Sequence, residues 1–206
     1  RAAAGADQSG VTVHSARGPE RFDRVILATH APQALALLDR PDPDEAAVLG
    51  ALGTAPNRMV LHSDTRFLPR RRAIWSSWNH VTAAAPDALG TGPIALSYWM
   101  NRLQGLQTAR PLIVTLNPET EPSEIWDETS FAHPQFDARA VAAQGLLPGL
   151  QGRGGVYYAG AWTRYGFHED GLLSALRVAQ ALGHDWPLGP DPWADQAPAP
   201  ATGAQK

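Results

Sequence analysis

The sequence of 206 residues contains no cysteine. This absence excludes disulfide bonds, thiolate metal sites and a cysteine nucleophile. Charge is also sparse, because Asp, Glu, Lys and Arg make up 18% of the chain and sum to a net charge of −3. The longest basic run, Arg70 to Arg72, is typical of a solvated loop. A mildly acidic chain without a basic strip has no electrostatic attraction for nucleic acid, so we predict no nucleic-acid partner.

Long apolar runs are missing too. A membrane-spanning helix needs about 18 or more apolar residues, whereas the runs here are strand-length and interrupted by Arg, Asp, Pro or Gly. We therefore predict no transmembrane segment and a soluble, cytoplasmic protein. No two of the seven histidines lie four residues apart, so we also predict no metal site. Ser174 lies outside any Gly-x-Ser-x-Gly motif, which disfavours a serine hydrolase.

Short apolar runs near both ends of the chain predict a parallel α/β region. In residues 24–28, the four positions after Arg24 are apolar and include the β-branched Val25 and Ile26, a pattern typical of a strand buried on both faces. Residues 156–160 predict another buried strand. A helix is predicted over residues 33–38. A second helix is predicted over residues 170–182 and should be mostly buried, since its polar side chains cover only about 120° of arc.

The residues between these segments predict an antiparallel or mixed sheet. Turn residues separate four short apolar runs, which are residues 58–62, 73–78, 94–100 and 112–116. Short helices are predicted on either side of this region, over residues 44–52 and 137–147. From residue 184 the chain is rich in Pro, Ala, Gly and Asp, so residues 184–206 are predicted to be a disordered tail.

The predicted strand over residues 156–160 leads through a loop into the predicted helix at Asp170. In open α/β sheets, this arrangement places the helix N-terminus at the carboxyl edge of the strands, where ligands bind. The helix start carries about half a positive charge on its unpaired N–H groups, which would stabilise an electron-rich group. We expect Gly171 to let a flat ligand approach the backbone, and Asp170 to cap the helix by accepting from Leu172 or Leu173.

Residues 158–174 contain an unusual string, Gly-Phe-His-Glu-Asp-Gly, at positions 166–171. They resemble the carboxy-terminal FAD motif of the amine-oxidase-like flavoproteins. More narrowly, the chain is similar to the branch described as predicted NAD/FAD-binding proteins, often encoded beside cyclopropane-fatty-acid synthases. Further similar segments are residues 28–31, 61–64, 68–71, 75–79, 98–104, 116–118 and 133–134.

The resemblance implies an α/β fold in which an incomplete Rossmann-like FAD-binding domain accompanies a mixed-sheet α+β substrate domain. Residues 1–40 and 150–183 would form the carboxy-terminal part of the FAD-binding domain, and residues 41–149 the substrate domain. The Gly-x-Gly-x-x-Gly turn that binds the diphosphate is absent from the 206 residues. We therefore expect an amino-terminal FAD-binding segment upstream of Arg1, or one donated by a separate polypeptide of a split gene.

The resemblance also implies which residues hold FAD. Backbone N–H groups of Gly171 or Leu172 would be directed at flavin O2, where reduced flavin holds negative charge. The other implied cofactor-binding positions are Ala28, Thr29, Gly160, Ala161, Trp162, His168, Glu169 and Asp170. The wider family usually has an acidic residue where this chain has Ala161, so a compensating contact would come from the neighbouring loop. No catalytic residue is predicted.

The activity that the resemblance implies is hydride transfer to flavin from a small-molecule substrate, either an amine or an apolar, lipid-like chain. One alternative is a cofactor-free binding or scaffold subunit that retains a flavoprotein fold. Another is that the strand, loop and helix form an ordinary core element, in which His168 and Glu169 only cap the loop. His30, which follows a predicted strand, would then hydrogen-bond a backbone carbonyl instead of approaching a cofactor.

Overall fold

The computed structural model describes residues 2–4, 10–80 and 95–184. Its fold is mixed α/β, as the sequence predicts, and the chain divides into two compact units. The first unit consists of Arg1–Thr54 with Pro134–Lys206, and the second of Ala55–His133. The start of the predicted strand over residues 94–100 and all but the first residue of the predicted tail lie outside the described residues.

Two small sheets belong to the first unit, with strands and helices numbered here in chain order. An antiparallel sheet in the order β1-β2-β3 is formed by Ala2–Ala4, Val11–Ser15 and Gly18–Phe22. A parallel pair is formed by β4 (Val25–Leu27) and β10 (Val156–Tyr158). The parallel pairing of these two apolar runs confirms the interpretation of their composition.

Four helices complete the first unit, namely α1 (Ala31–Leu37), α2 (Pro43–Ala51), α4 (Ala138–Gln144) and α5 (His168–Ala181). Their buried side chains and those of β4 and β10 form two clusters, in which α1, α2 and α4 share one core and α5 packs on Tyr157. Because α2 and α4 contribute to the core that contains β4 and β10, these two helices belong structurally with the parallel pair.

Two elements of the first unit are less buried than predicted. Ile26 in β4 keeps 48% of its surface exposed, because β4 pairs with β10 alone within the described residues. Leu172 in α5 is also 48% exposed, since α5 packs through Leu173, Val178 and their neighbours on one side only. The predictions of a strand buried on both faces and of a mostly buried helix are therefore wrong.

The second unit contains a five-stranded sheet in the order β6-β7-β8-β5-β9. The strands in chain order are β5 (Thr54–His62), β6 (Trp78–Asn79), β7 (Leu96–Trp99), β8 (Ile113–Leu116) and β9 (Ile125–Pro134). The pairs β6–β7, β7–β8 and β8–β5 are antiparallel, in agreement with the sequence. A single-turn helix, α3 (Met100–Leu103), follows β7.

Two parts of this unit differ from the prediction. Most of the predicted strand over residues 73–78 is a loop with a 3₁₀ turn at Arg72–Ile74, because the buried Trp75 turns inward and donates from Nε1 to the Pro69 carbonyl at 2.7 Å. β9 was not predicted at all. Ile125 to His133 are exposed throughout. Because neither face of β9 is buried, its sequence lacks the alternation of apolar and polar residues that would have predicted a strand.

Candidate functional site

The parallel pairing of β4 and β10 brings the carboxyl ends of both strands to one edge. The Ala159 N–H donates to the Leu27 carbonyl at 3.1 Å, which continues the pairing one residue beyond β10. The next residues on each side are Ala28 and Thr29 after β4, and Gly160 after β10. The sequence analysis named all three as cofactor-binding positions, and the structure brings them to this edge.

Trp162 ties the two strand ends together. Its ring is buried, and its Nε1–H donates to the Thr29 carbonyl at 2.8 Å. Gly160 has φ +153°, and a Cβ at this position would lie 2.7 Å from Cδ1 of the Trp162 ring. Glycine is therefore required for the ring to pack across the strand ends.

Two side chains that the sequence analysis did not assign to the site hold its loop in place. Ser174 is buried, accepts from the Gly160 N–H at 2.8 Å and donates to the Gly171 carbonyl at 2.7 Å. Gln144 of α4 donates from Nε2 to the carbonyls of Trp162 and Arg164, at 2.9 and 2.6 Å. No local pattern marks Gln144, and Ser174 is one of the few polar side chains of the predicted helix over residues 170–182.

The start of α5 differs from the prediction. The helix begins at His168, two residues before Asp170, and Phe167 is its N-cap residue. The Asp170 carboxylate accepts from the Phe167 N–H at 3.0 Å instead of from Leu172 or Leu173. This arrangement is one half of a capping box, in which the third helical residue reaches back to the N-cap.

The earlier helix start changes which N–H groups are available. The Gly171 N–H donates to the Phe167 carbonyl at 3.2 Å, so it is not an unpaired donor as expected. The N–H groups of His168 and Glu169 precede the first intrahelical hydrogen bonds and have no partner among the described residues. The positive end of the helix dipole is therefore presented by His168 and Glu169, whose side chains are exposed.

Ala161 and Gly171 lie close to each other beneath this helix start. A Cβ at Gly171 would lie 3.8 Å from the Ala161 nitrogen, an ordinary contact distance. Asp170 is buried, and its Oδ1 lies 3.7 Å from Nε of Arg164. Of the predicted cofactor-binding residues, Trp162 and Asp170 thus have structural partners within the chain, whereas Ala28, His168, Glu169 and Leu172 are exposed.

One residue that lines a shallow crevice beside Trp162 has an unsatisfied polar atom. Nδ1 of His30 is buried and has no hydrogen-bond partner among the described residues. The crevice is lined by His30, Ala31, Leu52, Gly53, Thr54, Pro134, Gln135, Phe136 and Trp162. A buried polar atom without a partner is costly in a folded chain, so His30 Nδ1 marks a place where a ligand atom or water would be stabilised.

The buried strand β10 is anchored on its other side by Tyr158. The Tyr158 hydroxyl donates to Oε1 of Glu45 at 2.7 Å. Burial and this carboxylate raise the pKa of Tyr158 above its ordinary value, so the hydroxyl stays protonated and remains a donor. The strand that carries Gly160 is thus fixed to α2 by a hydrogen bond that does not titrate near neutral pH.

The fold is mixed α/β, and solved structures share it. The CLA-producing fatty acid isomerase from P. acnes has a TM-score of 0.60 at 15% identity over 88% of this chain and 46% of its own. A putative protoporphyrinogen oxidase from Exiguobacterium sp. 255-15 has a TM-score of 0.58 at 15% identity, over 87% of this chain and 45% of its own.

Cyclohexylamine oxidase from Brevibacterium oxydans IH-35A has a TM-score of 0.51 at 16% identity, over 89% of this chain and 48% of its own. At these identities the similarity shows a shared fold, and the chain spans less than half the length of each of the three proteins. The chain matches no protein-family model and no curated protein.

Two structural features are absent among the described residues. No helix among them is long and apolar enough to cross a membrane. Among the same residues, no three His, Asp or Glu side chains are grouped as they would be around a metal ion.

Proposed function

We propose that this chain forms part of a FAD-dependent oxidoreductase of the amine-oxidase-like group. The observation that carries the proposal is the joint position of the strand ends and the start of α5. Gly160 and Ala161 lie against the first turns of the helix through Ser174 and Gly171, and two N–H donors of that helix start have no partner among the described residues. Resemblance of residues 158–174 to a carboxy-terminal FAD motif supports the same assignment.

The residues present fit the pyrimidine end of a flavin. The N–H groups of His168 and Glu169 would face the oxygen and nitrogen atoms where reduced flavin is negative, and a helix N-terminus stabilises such charge by about 0.3–2 kcal/mol. His30 Nδ1 offers a buried polar atom near Trp162. When bound, the flavin would supply the electron acceptance, and this chain's residues would orient it. The positions Ala28, Thr29, Gly160, Ala161, Trp162, Asp170, Gly171 and Leu172 stay predicted cofactor neighbours.

We also propose that the diphosphate is bound by polypeptide that this sequence does not contain. Strands of a parallel sheet are ordinarily flanked by neighbours and covered on both faces. Within the described residues β4 has β10 as its single neighbour, and Ile26 is half exposed. A strand carrying the missing Gly-x-Gly-x-x-Gly turn would pair with the open edge of β4 and cover Ile26.

The proposed substrate is a small apolar or amine-bearing molecule that loses hydride from a C–H bond. The names of the three similar structures include two oxidases and a fatty acid isomerase, which makes an amine and a lipid-like chain the two substrate classes to compare. The cytoplasmic location and the division into FAD-binding residues 1–40 and 150–183 and substrate-binding residues 41–149 stay predictions.

The experiment is a visible absorption spectrum of the intact gene product, including any coding segment that precedes Arg1. We expect the bands of oxidised flavin and about one flavin per protein. Gly171→Asp should remove the colour, because the carboxylate would stand at the flavin edge. Gly171→Ala is the matched control and should keep it, since the nearest atom to a Cβ here is 3.8 Å away. A colourless protein that ignores added FAD would instead favour the scaffold alternative.

A further inference from the structure

One face of the sheet in the second unit buries polar side chains where apolar ones are usual. His62 of β5 and Thr115 of β8 are completely buried, and Ser97 of β7 is 4% exposed. The strand register pairs Ser97 of β7 with Thr115 of β8. On the other side of β8, Thr115 pairs with Val60 of β5, and His62 follows Val60 by two residues on the same face of the sheet. Burying polar groups is unfavourable unless each is hydrogen-bonded, so the arrangement of their protons matters.

The direction of the hydrogen bonds follows from the imidazole of His62. The Asp64 N–H donates to Nδ1 of His62 at 3.1 Å, and burial lowers the pKa of His62, which keeps the ring neutral. A neutral ring that accepts at Nδ1 carries its proton on Nε2. Nε2 lies 2.8 Å from the Thr115 hydroxyl oxygen and therefore donates to it.

The chain of hydrogen bonds continues to Ser97. The hydroxyl oxygens of Thr115 and Ser97 are 2.8 Å apart. Since Thr115 accepts from His62, its own proton is directed to the Ser97 oxygen, and the Ser97 proton then has no acceptor among the described residues. With the opposite orientation the Thr115 proton would be the one without an acceptor. In either case this pair of hydroxyls has one donor to spare.

The two residues that carry these hydroxyls line a cavity. Ser97 and Thr115 line a cavity of about 420 Å³, its mouth included, together with Arg66, Phe67, Ala95, Glu119 and Thr120. Arg66, the one cation among the described lining residues, is already ion-paired with Asp64 through contacts of 3.0 Å from Nε. A carboxylate ligand would therefore find no free positive charge here, whereas an uncharged oxygen acceptor would meet a hydroxyl donor.

We propose that this cavity is a binding site for an uncharged small molecule that bears a carbonyl oxygen, with the hydroxyl of Ser97 as the donor and Phe67 and Ala95 as apolar walls. When the hydrogen bonds from Asp64 through His62 and Thr115 all run towards Ser97, the Ser97 hydroxyl is the donor left over. Hydrogen bonds in series polarise one another, so the terminal hydroxyl is a stronger donor than an isolated serine. The proposal concerns the second unit alone and does not depend on flavin binding.

The test uses two probes of similar shape, cyclopentanone and methylenecyclopentane, added to the ¹⁵N-labelled 206-residue chain. The ketone can accept a hydrogen bond and the alkene cannot. We expect the ketone to shift the amide signals of Ser97, Thr115 and Phe67, and to bind roughly 2- to 12-fold more tightly than the alkene, the factor that one neutral hydrogen bond contributes. Equal binding of both probes, or ketone shifts that map elsewhere, would overturn the proposal.

A pair of serine variants locates the donor. Ser97→Ala should reduce ketone affinity to that of the alkene and leave alkene affinity unchanged, because only the hydroxyl is lost. Ser76→Ala is the matched control, since Ser76 is an exposed serine of the same unit, and it should bind both probes as the unaltered chain does. Unchanged ketone affinity in a folded Ser97→Ala protein would rule out the hydroxyl as the donor. The comparison of the two probes on the unaltered chain decides the proposal even if that variant does not fold.

Discussion

Two regions, one in each unit, use polar groups in different ways. At the edge of β4 and β10, side chains bind backbone atoms: Trp162 donates to the Thr29 carbonyl, Gln144 to loop carbonyls, and Ser174 accepts from Gly160. In the second unit, buried side chains bind one another from His62 through Thr115 to Ser97. The first arrangement fixes a loop and leaves backbone donors at its surface, while the second leaves one hydroxyl proton without an acceptor among the described residues.

This difference decides what a mutation does. Where side chains hold the backbone in place, a mutation should act mainly by changing the shape of the backbone, because the proposed ligand-facing donors are N–H groups that no substitution except proline removes. Where buried side chains are hydrogen-bonded to one another, the loss of one side chain leaves its neighbour with an unsatisfied donor or acceptor. Stability measurements on isosteric variants should therefore separate the two regions.

The largest effect is expected from Gly160→Ala. The added Cβ would collide with the Trp162 ring, and alanine disfavours φ +153°, so we expect a loss of about 3 kcal/mol in the free energy of unfolding. Gly183→Ala is the control, because its φ is +86° but no atom lies within 4 Å of the added Cβ. Urea unfolding should show a loss of only about 1 kcal/mol there. Equal losses would mean that packing against Trp162 is unimportant.

Thr115→Val should have the next largest effect. Valine keeps the shape and strand preference of threonine, but it leaves Nε2–H of the buried His62 without an acceptor. We expect a loss of about 2 kcal/mol, the penalty for one unsatisfied buried donor. Thr120→Val, at the exposed rim of the same cavity, should change stability by less than about 0.5 kcal/mol. If the two variants unfold at the same urea concentration, the buried chain of hydrogen bonds is not what stabilises the sheet.

The elements of these two regions could be predicted from the sequence to different extents. The apolar runs over residues 24–28 and 156–160 predicted a parallel pair, because the composition of each short run is enough to indicate a buried strand. The start of α5 was misplaced, because Phe167 is not a typical N-cap residue and the carboxylate that caps it belongs to Asp170. β9 was missed because its side chains are exposed along its length.

The polar row of the second unit could not be predicted from spacing. His62 and Thr115 are 53 residues apart, and Thr115 and Ser97 are 18 apart, so only the register of the strands brings them together. Ser97 and Thr115 alternate with apolar neighbours as surface polar residues do, and nothing local distinguishes a buried threonine from an exposed one. The unusual string of the flavoprotein resemblance, in contrast, lies in one continuous segment, residues 158–174, so a site at α5 could be predicted from the sequence and the cavity could not.

A third prediction concerns the backbone donors at the start of α5. Proline is tolerated at the first helical position, where it removes only an N–H that has no intrahelical partner, and Phe167 before it is already extended at φ −84° and ψ 162°. His168→Pro should therefore weaken flavin binding by the intact protein roughly 2- to 12-fold without unfolding it. His168→Ala keeps the N–H and should bind as before. If both variants bind flavin equally weakly, the imidazole of His168 and not its backbone N–H is the group that contributes to binding.

The last prediction is a change of stability with pH that comes from His62. Burial lowers the pKa of His62 below its ordinary 6.5, so in the unfolded chain the ring takes up a proton as the pH falls below about 6.5, while in the folded chain it stays neutral. Stability should therefore decrease from pH 6.5 towards 4.5. The Asp64 carboxylate, whose pKa is lowered from 3.8 mainly by Arg66, contributes only at lower pH. His62→Gln should flatten the dependence in that window, measured as the urea midpoint at each pH, whereas His80→Gln, at an exposed position, should keep it. A dependence that survives His62→Gln would show that the buried ring is already protonated or that another group titrates.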